Sequence, residues 1–306
     1  MQTTINHSLN FAGVGLHSGR PARLVLQPAA AGHGIVFRRG DVIGQDASVP
    51  ALWSHVVRAA LNTKVENADG VSVGTIEHLM AALAGCGVHN VLIEIDGPEV
   101  PILDGSALQF VRGLIGVGLR RLDTPLDVIQ ILAPVVVTHG DAVARLDPAE
   151  TLEMDFTIDF ADAAIGHQEK QLDLANGAFV RELCDSRTFC RQADVDAMRA
   201  NGLALGGTLR NAVVVDGGAV LTPGGLRHKD EAVRHKMLDA LGDLATAGAP
   251  ILGRYTGVKS GHFLTNQLLR ALFDRPEAWC RVPGDARIAA RLPGAGLRRN
   301  DLRAVA

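Results

Sequence analysis

Cysteine is scarce in this 306-residue chain, and none of Cys86, Cys184, Cys190 and Cys280 falls in a C-x-x-C pair. That spacing argues against a thiolate zinc site or a dithiol redox centre. Cys184 and Cys190 are near enough in sequence to meet, but a reducing compartment disfavours the disulfide. Excess positive charge is also missing. The net charge is −3 and the pI about 6.4, so there is no basic footprint for nucleic acid. No apolar run reaches the ~18 residues of a membrane span. The opening stretch, "MQTTINHSLN", has neither the charged nor the apolar region of a signal peptide. A cytoplasmic protein is expected. What the chain does have is 47% hydrophobic residues, enough for one large core or two medium ones, and eleven histidines. A metal site in a His-rich, Cys-poor chain would use imidazole and carboxylate.

The first half opens with strand-like pieces separated by glycines: "GVGLHSG", "ARLVLQP" and "HGIVFRR". "ARLVLQP" alternates with the two-residue period of a half-buried strand. In "GTIEHLMAALAGCG", Ile76, Leu79, Met80 and Leu83 mark one face of a helix over 75–84, with Thr75 as its N-cap and Gly85 as its stop. "NVLIEIDGP" returns to strand character, and "SALQFVRGLIGVG" reads as a second helix. A polar stretch with a proline, 119–127, is the expected linker. The second half repeats the order: strands in "VIQILAPVVV" and "TLEMDFTIDF", a helix over 233–244, a strand in "APILGRYTGV" and a helix over 261–273. Two related α+β domains are predicted, 1–122 and 127–306, with 180–216 as an insertion in the second. "NGLALGGTLRN" in that insertion lacks both phosphate-loop patterns, so it is not read as a nucleotide cradle.

The helix "VRHKMLDALGDL" carries an unusual polar strip. At about 100° per residue, Val233, Met237, Leu238, Leu241 and Leu244 share one arc. His235, Asp239 and Asp243 lie nearly opposite. Taken by itself, that strip is an ordinary solvated His–Asp pair. Taken by itself, Glu77 is a first-turn acid suited to the helix dipole, and His78 beside it is a structural histidine. Combined, the two halves supply two imidazoles and a carboxylate, with a second carboxylate adjacent in sequence. A catalytic zinc commonly has three N/O ligands, and a nearby carboxylate can act as base. The protease pattern H-E-x-x-H is absent. His262 stands at a glycine-marked helix start in "KSGHFLTN", and Thr188 lies between an arginine and a phenylalanine in "DSRTFCR".

At "TIEHLMAALAG", "DGPEVPILDGSA", "SRTF", "VRHKMLDALGDL" and "KSGH" the chain resembles the UDP-3-O-acyl-N-acetylglucosamine deacetylases. These are zinc amidases of lipid A biosynthesis in Gram-negative bacteria. The likeness runs from "GVGLHSG" to the "GH" helix in the family's order. It implies an α+β fold of two similar domains, their helices packed between two outer sheets, with the site at the domain interface. It implies one Zn2+ per chain on His78, His235 and Asp239, and Glu77 as general base. His262 would be the general acid, held by Asp243. Thr188 would donate to the oxyanion, and Lys236 would contact the substrate. By the same resemblance the acyl chain of the UDP-sugar lies against Phe189, Val195, Leu205, Gly207 and Val214. The UDP end lies near Phe160 and Lys259, and His17 stands close to the site. A monomer is expected, with a small-molecule substrate and no nucleic-acid partner. Cys190, Arg191, Gln192 and Ala142 depart from the pattern at the tunnel wall and the nucleotide end. A different N-acetyl sugar as substrate, or a binding protein with a purely structural His/Asp set, are the rival readings.

Overall fold

Alternation in the sequence becomes two sheets. The computed structural model describes residues 1–302, so 303–306 of the expected second domain lie outside the described residues. In the first half, five strands lie in the order Leu9–Val14, Pro21–Pro28, Val91–Ile95, Ile35–Arg39, Ser48–Pro50. Successive neighbours pair antiparallel, antiparallel, parallel and antiparallel. In the second half the order Val135–His139, Ala142–Asp147, Ile251–Val258, Leu152–Asp159, His167–Asp173 has the same pattern of directions. In both, the strand just before the last major helix takes the centre. Asp127–Ile131 and Trp279–Pro283 extend the second sheet to seven strands. One face of each sheet is apolar: Ala22, Leu24 and Leu26 in the first, Leu152, Met154, Phe156 and Ile158 in the second, all buried.

The helices are α1 (Glu77–Cys86), α2 (Leu108–Val117), α3 (Ala178–Glu182), α4 (Gln192–Ala200), α5 (Glu231–Ala245), α6 (His262–Phe273) and α7 (Ala286–Ala289). α1 packs on α2 and α5 on α6, and the two pairs meet where α1 crosses α5. α2 rests on the first sheet, and α5 and α6 rest on the second. The helices thus form a layer between the sheets, and one hydrophobic cluster runs through both halves. This is the α+β architecture of two similar halves with helices between outer sheets.

Several local expectations give way. Thr75 is not a side-chain cap: its φ is +55°, and α1 begins after Ile76 without a side-chain cap bond. Its hydroxyl instead donates to Glu99 and accepts from Asn62. Gly85 does not end α1, which stops at Gly87 in the left-handed region. Gly85 serves packing: a Cβ there would lie 2.0 Å from the Phe179 ring. The linker begins later than expected, because Leu119–Arg121 pairs antiparallel with Thr3–Ile5 and ties the end of the first half to its start. We infer that the domain boundary falls between 122 and 127. The insertion carries α4 and a small sheet of Phe189–Arg191, Val213–Asp216 and Ala219–Val220, so its last strand lies beyond residue 216. All four cysteines are free thiols.

Candidate metal centre and active site

The polar strip of α5 is not a solvated face. His235, Asp239 and Asp243 are 2%, 6% and 3% exposed. The reason is the crossing with α1, which is buried on almost every side. At the crossing Gly242 meets the α1 backbone: a Cβ there would lie 2.0 Å from the Glu77 carbonyl oxygen. Only glycine allows this approach, and it brings Asp239, one turn earlier, against His78.

His78 Nε2 lies 3.5 Å and His235 Nε2 3.2 Å from Asp239 Oδ1. One donor atom from each residue falls within 4.8 Å of the other two. The two imidazoles are nearly perpendicular, their centroids 4.9 Å apart. His235 Nδ1 is 3.0 Å from the Ser186 carbonyl. A carbonyl only accepts, so Nδ1 donates to it, and Nε2 is the nitrogen that faces Asp239 and is placed to bind a metal. Burial lowers the pKa of His78 and so favours the neutral ring a metal requires. Burial opposes the charge on Asp239, but His235, His78 and Lys236 outweigh it and hold the carboxyl well below the usual range. Lys236 Nζ stands 3.6 Å from Asp239 Oδ2. Two imidazoles and one ionised carboxylate, buried and convergent, fit a divalent metal ion.

Beside this set lie two proton-handling groups. Glu77 accepts a hydrogen bond from the Thr63 backbone N–H at 3.0 Å, and burial pushes its pKa up to about 7. His262 Nδ1 lies 2.9 Å from Asp243 Oδ2, and its Nε2 is 3.9 Å from Glu77 Oε1. Burial opposes its charge, but Asp243 and then Glu77 raise its pKa to about 9. A neutral pH therefore finds a carboxylate near its titration point facing an imidazolium, the division of labour of a base and an acid.

All of these except Asp243, which stands behind His262, open into a cavity of about 1050 Å³. Thr188 lines it, fixed from both sides: its N–H donates to the Gly105 carbonyl at 2.7 Å, and its carbonyl accepts from Val213. Gly105 belongs to the first half and has φ +84°, so "DGSA" is the loop that docks the insertion. Phe160 and Phe189 pack edge-to-face at 5.4 Å on the wall. Val195, Gly207 and Val214 line the same cavity, as does His17, whose buried Nδ1 has no hydrogen-bond partner among the described residues. Lys259 is at the rim, held by Asp141 at 3.0 Å and Asp159 at 3.3 Å. Leu205 is placed elsewhere. It is 57% exposed and absent from the cavity wall, because its backbone N–H bonds the His17 carbonyl and its Cβ side lies against Gly19. Leu203 and Leu209 line the cavity in its stead. The neighbouring glycine works similarly: a Cβ at Gly206 would lie 2.2 Å from the Gly15 carbonyl oxygen. Of the departures, Arg191, Gln192, Cys190 and Ala142 all reach the wall, and Arg191 pairs with Asp194 at 2.8 Å.

The chain matches the family described as "LpxC: UDP-3-O-acyl N-acetylglycosamine deacetylase" over residues 2–274. It belongs to that family. Three relatives named UDP-3-O-acyl-N-acetylglucosamine deacetylase cover nearly all of it. The protein of Phenylobacterium zucineum (strain HLK1) is 52% identical over 278 residues, 91% of this chain and 95% of the relative. That of Myxococcus xanthus (strain DK1622) is 45% identical over 296 residues, 97% and 93%. That of Shewanella oneidensis is 42% identical over 299 residues, 96% and 97%. Against this LpxC background the residues that sequence reasoning missed are Ser186, Thr63 and Glu99. Ser186 orients His235 by its carbonyl, and Thr63 reaches Glu77 by its N–H. Glu99 takes the N–H groups of His17 and Ser18, each at 2.8 Å, and so fixes the "GVGLHSG" turn.

Proposed function

We propose that this chain hydrolyses the 2-acetamido group of a UDP-3-O-(3-hydroxyacyl)-N-acetylglucosamine, releasing acetate and the free amine. The reaction serves lipid A biosynthesis. The observation that carries the reading is the pair Glu77 and His262, from different halves, on one cavity beside the His78–His235–Asp239 set. Their pKa values, about 7 and about 9, leave an interval in which the carboxylate is ionised and the imidazole protonated.

A single Zn2+ on His78, His235 and Asp239 would polarise the amide carbonyl and acidify water. Glu77 takes a proton from the water that attacks the carbonyl carbon. The Thr188 hydroxyl, on the cavity wall, donates to the oxygen that gains negative charge. His262 then gives its Nε2 proton to the departing amine. Asp243, at Nδ1, keeps the ring oriented and charged until that transfer. Lys236 meets the polar part of the sugar. The acyl chain lies along Phe189, Val195, Gly207 and Val214, and the UDP end lies toward Phe160 and Lys259. No helix among the described residues is long and apolar enough to cross a membrane. We place the enzyme in the cytoplasm as a monomer.

The test is product mass on UDP-3-O-acyl-N-acetylglucosamine against the non-acylated UDP-sugar. Loss of one acetyl group, much faster from the acylated compound, is expected. Equal rates on both would overturn the substrate assignment.

A further inference from the structure

Thr63 precedes the short strand Lys64–Glu66, and neither its sequence context nor its residue type marks it as part of a site. It is 4% exposed and commits all three of its polar groups to one small region. Its backbone N–H donates to Glu77 Oε2 at 3.0 Å. Its hydroxyl donates to Asp243 Oδ1. Its carbonyl accepts from the N–H of Ile76, the residue that leads into α1, at 3.3 Å. Among the described residues Thr63 alone hydrogen-bonds both carboxylates.

Glu77 comes from the first half, while Asp243 and His262 come from the second. Nothing in the covalent chain fixes the 3.9 Å gap between Glu77 and His262. The Gly242–Glu77 contact sets how close the helices come, but not how the two carboxylates are turned. Thr63 links both orientations in one residue. Threonine is branched at Cβ and stiff at χ1, so its hydroxyl keeps a fixed direction relative to its own N–H. Asp243 already receives His262 Nδ1, which lies 2.9 Å from Oδ2 and 3.2 Å from Oδ1. A second donor at Oδ1, arriving from the other half of the chain, stops the carboxylate from rotating about its bond. The imidazole behind which it stands is then held in one plane.

We propose that Thr63 is a positioning residue that sets the geometry between Glu77 and the Asp243–His262 pair. The inference rests on the base and acid roles proposed above for Glu77 and His262.

Two substitutions separate its hydrogen bond from its bulk. Thr63→Val keeps the volume and the Cβ branch but removes the hydroxyl. Thr63→Ser keeps the hydroxyl and removes a methyl group. With the zinc-loaded full chain, kcat, KM, zinc content and Tm are measured for both, with Glu77→Gln alongside. Thr63→Val is expected to lower kcat by about ten- to a hundredfold, the range for a reacting group displaced by up to ~1 Å. Its KM should stay within about twofold, because the loss falls on the chemical step. Zinc content should be unchanged, and Thr63→Ser should restore most of kcat. Full activity in Thr63→Val overturns the proposal, and impairment of Thr63→Ser alone would show a packing role instead. Loss of zinc or of folding in both variants also overturns it. Normal turnover in Glu77→Gln refutes the base role itself, whatever the Thr63 variants do.

Discussion

Replacing Asp243 with asparagine removes the charge facing Nδ1 of His262 while keeping an oxygen for Thr63 and nearly the same volume. The groups that act on the imidazole are Asp243, Glu77 and, more weakly, Asp239, and the His17 imidazole is near enough to repel it. Asp243 is the largest of the influences that raise the pKa from 6.5 to about 9 against burial. The whole rise corresponds to about 3 kcal/mol in favour of the imidazolium. A general acid must be protonated to act, so activity is lost as pH climbs through the His262 pKa. The wild-type alkaline limb is therefore expected near 9. In Asp243→Asn, burial is opposed only by Glu77 and, more weakly, Asp239, and the limb should fall by one pH unit or more. A fall of about 1.5 units cuts the protonated fraction at pH 8.5 roughly eightfold, before any loss from misorientation. The assay is kcat across pH 6–10 with the zinc-loaded protein, using an amide substrate of fixed acyl length. A limb that stays near 9 in Asp243→Asn, with only the plateau lowered, would refute the electrostatic argument. Asp243 would then serve only to hold the ring.

Three further outcomes follow from the packing. Gly242→Ala drives a methyl group into the Glu77 backbone and should lower stability by about 1–3 kcal/mol, read as a fall in Tm, with turnover falling more than stability alone explains. Glu231 is buried and accepts from Arg187 and Arg227, whose loop leads to Ser186 and Thr188. Glu231→Ala leaves the Arg187 charge unpaired and should cost about 3–5 kcal/mol in denaturant unfolding. Val214→Phe shortens the apolar cavity, so the longest acyl chain turned over should shrink. KM should rise for long chains and hold for short ones, at about 0.8 kcal/mol per excluded methylene.

Much of this was legible because side-chain type and spacing encode it. The alternation in 21–28 and 152–159 gave buried strand faces, and the strands-helix-strand-helix order in both halves gave the repeat that recurs in the sheet pairing. The imidazoles and carboxylates on α1 and α5 stand out as a set once both halves are considered together. Helix angles placed the α5 strip correctly opposite its apolar arc, but angles carry no information about what packs on that side. The burial of His235, Asp239 and Asp243 depends on α1, and on Gly242 being small enough to admit it. Gly85 was misread for the same reason, since its neighbour Phe179 is distant in sequence. Ser186 reaches His235, and Thr63 reaches Glu77, by peptide groups, which every residue possesses, so no residue pattern announces those contacts. Leu205 illustrates the limit for loops: an apolar residue in a glycine-rich insertion faces solvent because its backbone is spent on the His17 turn.

Proton transfer by Glu77, beside a metal held by His78, His235 and Asp239, is the step on which the proposed mechanism rests. It is tested most directly by the turnover of Glu77→Gln protein loaded with zinc and assayed for metal content. One zinc per chain is expected, as in the wild type, with a deacetylation rate lower by about a hundredfold or more. A variant that holds zinc and turns over at the wild-type rate would contradict it.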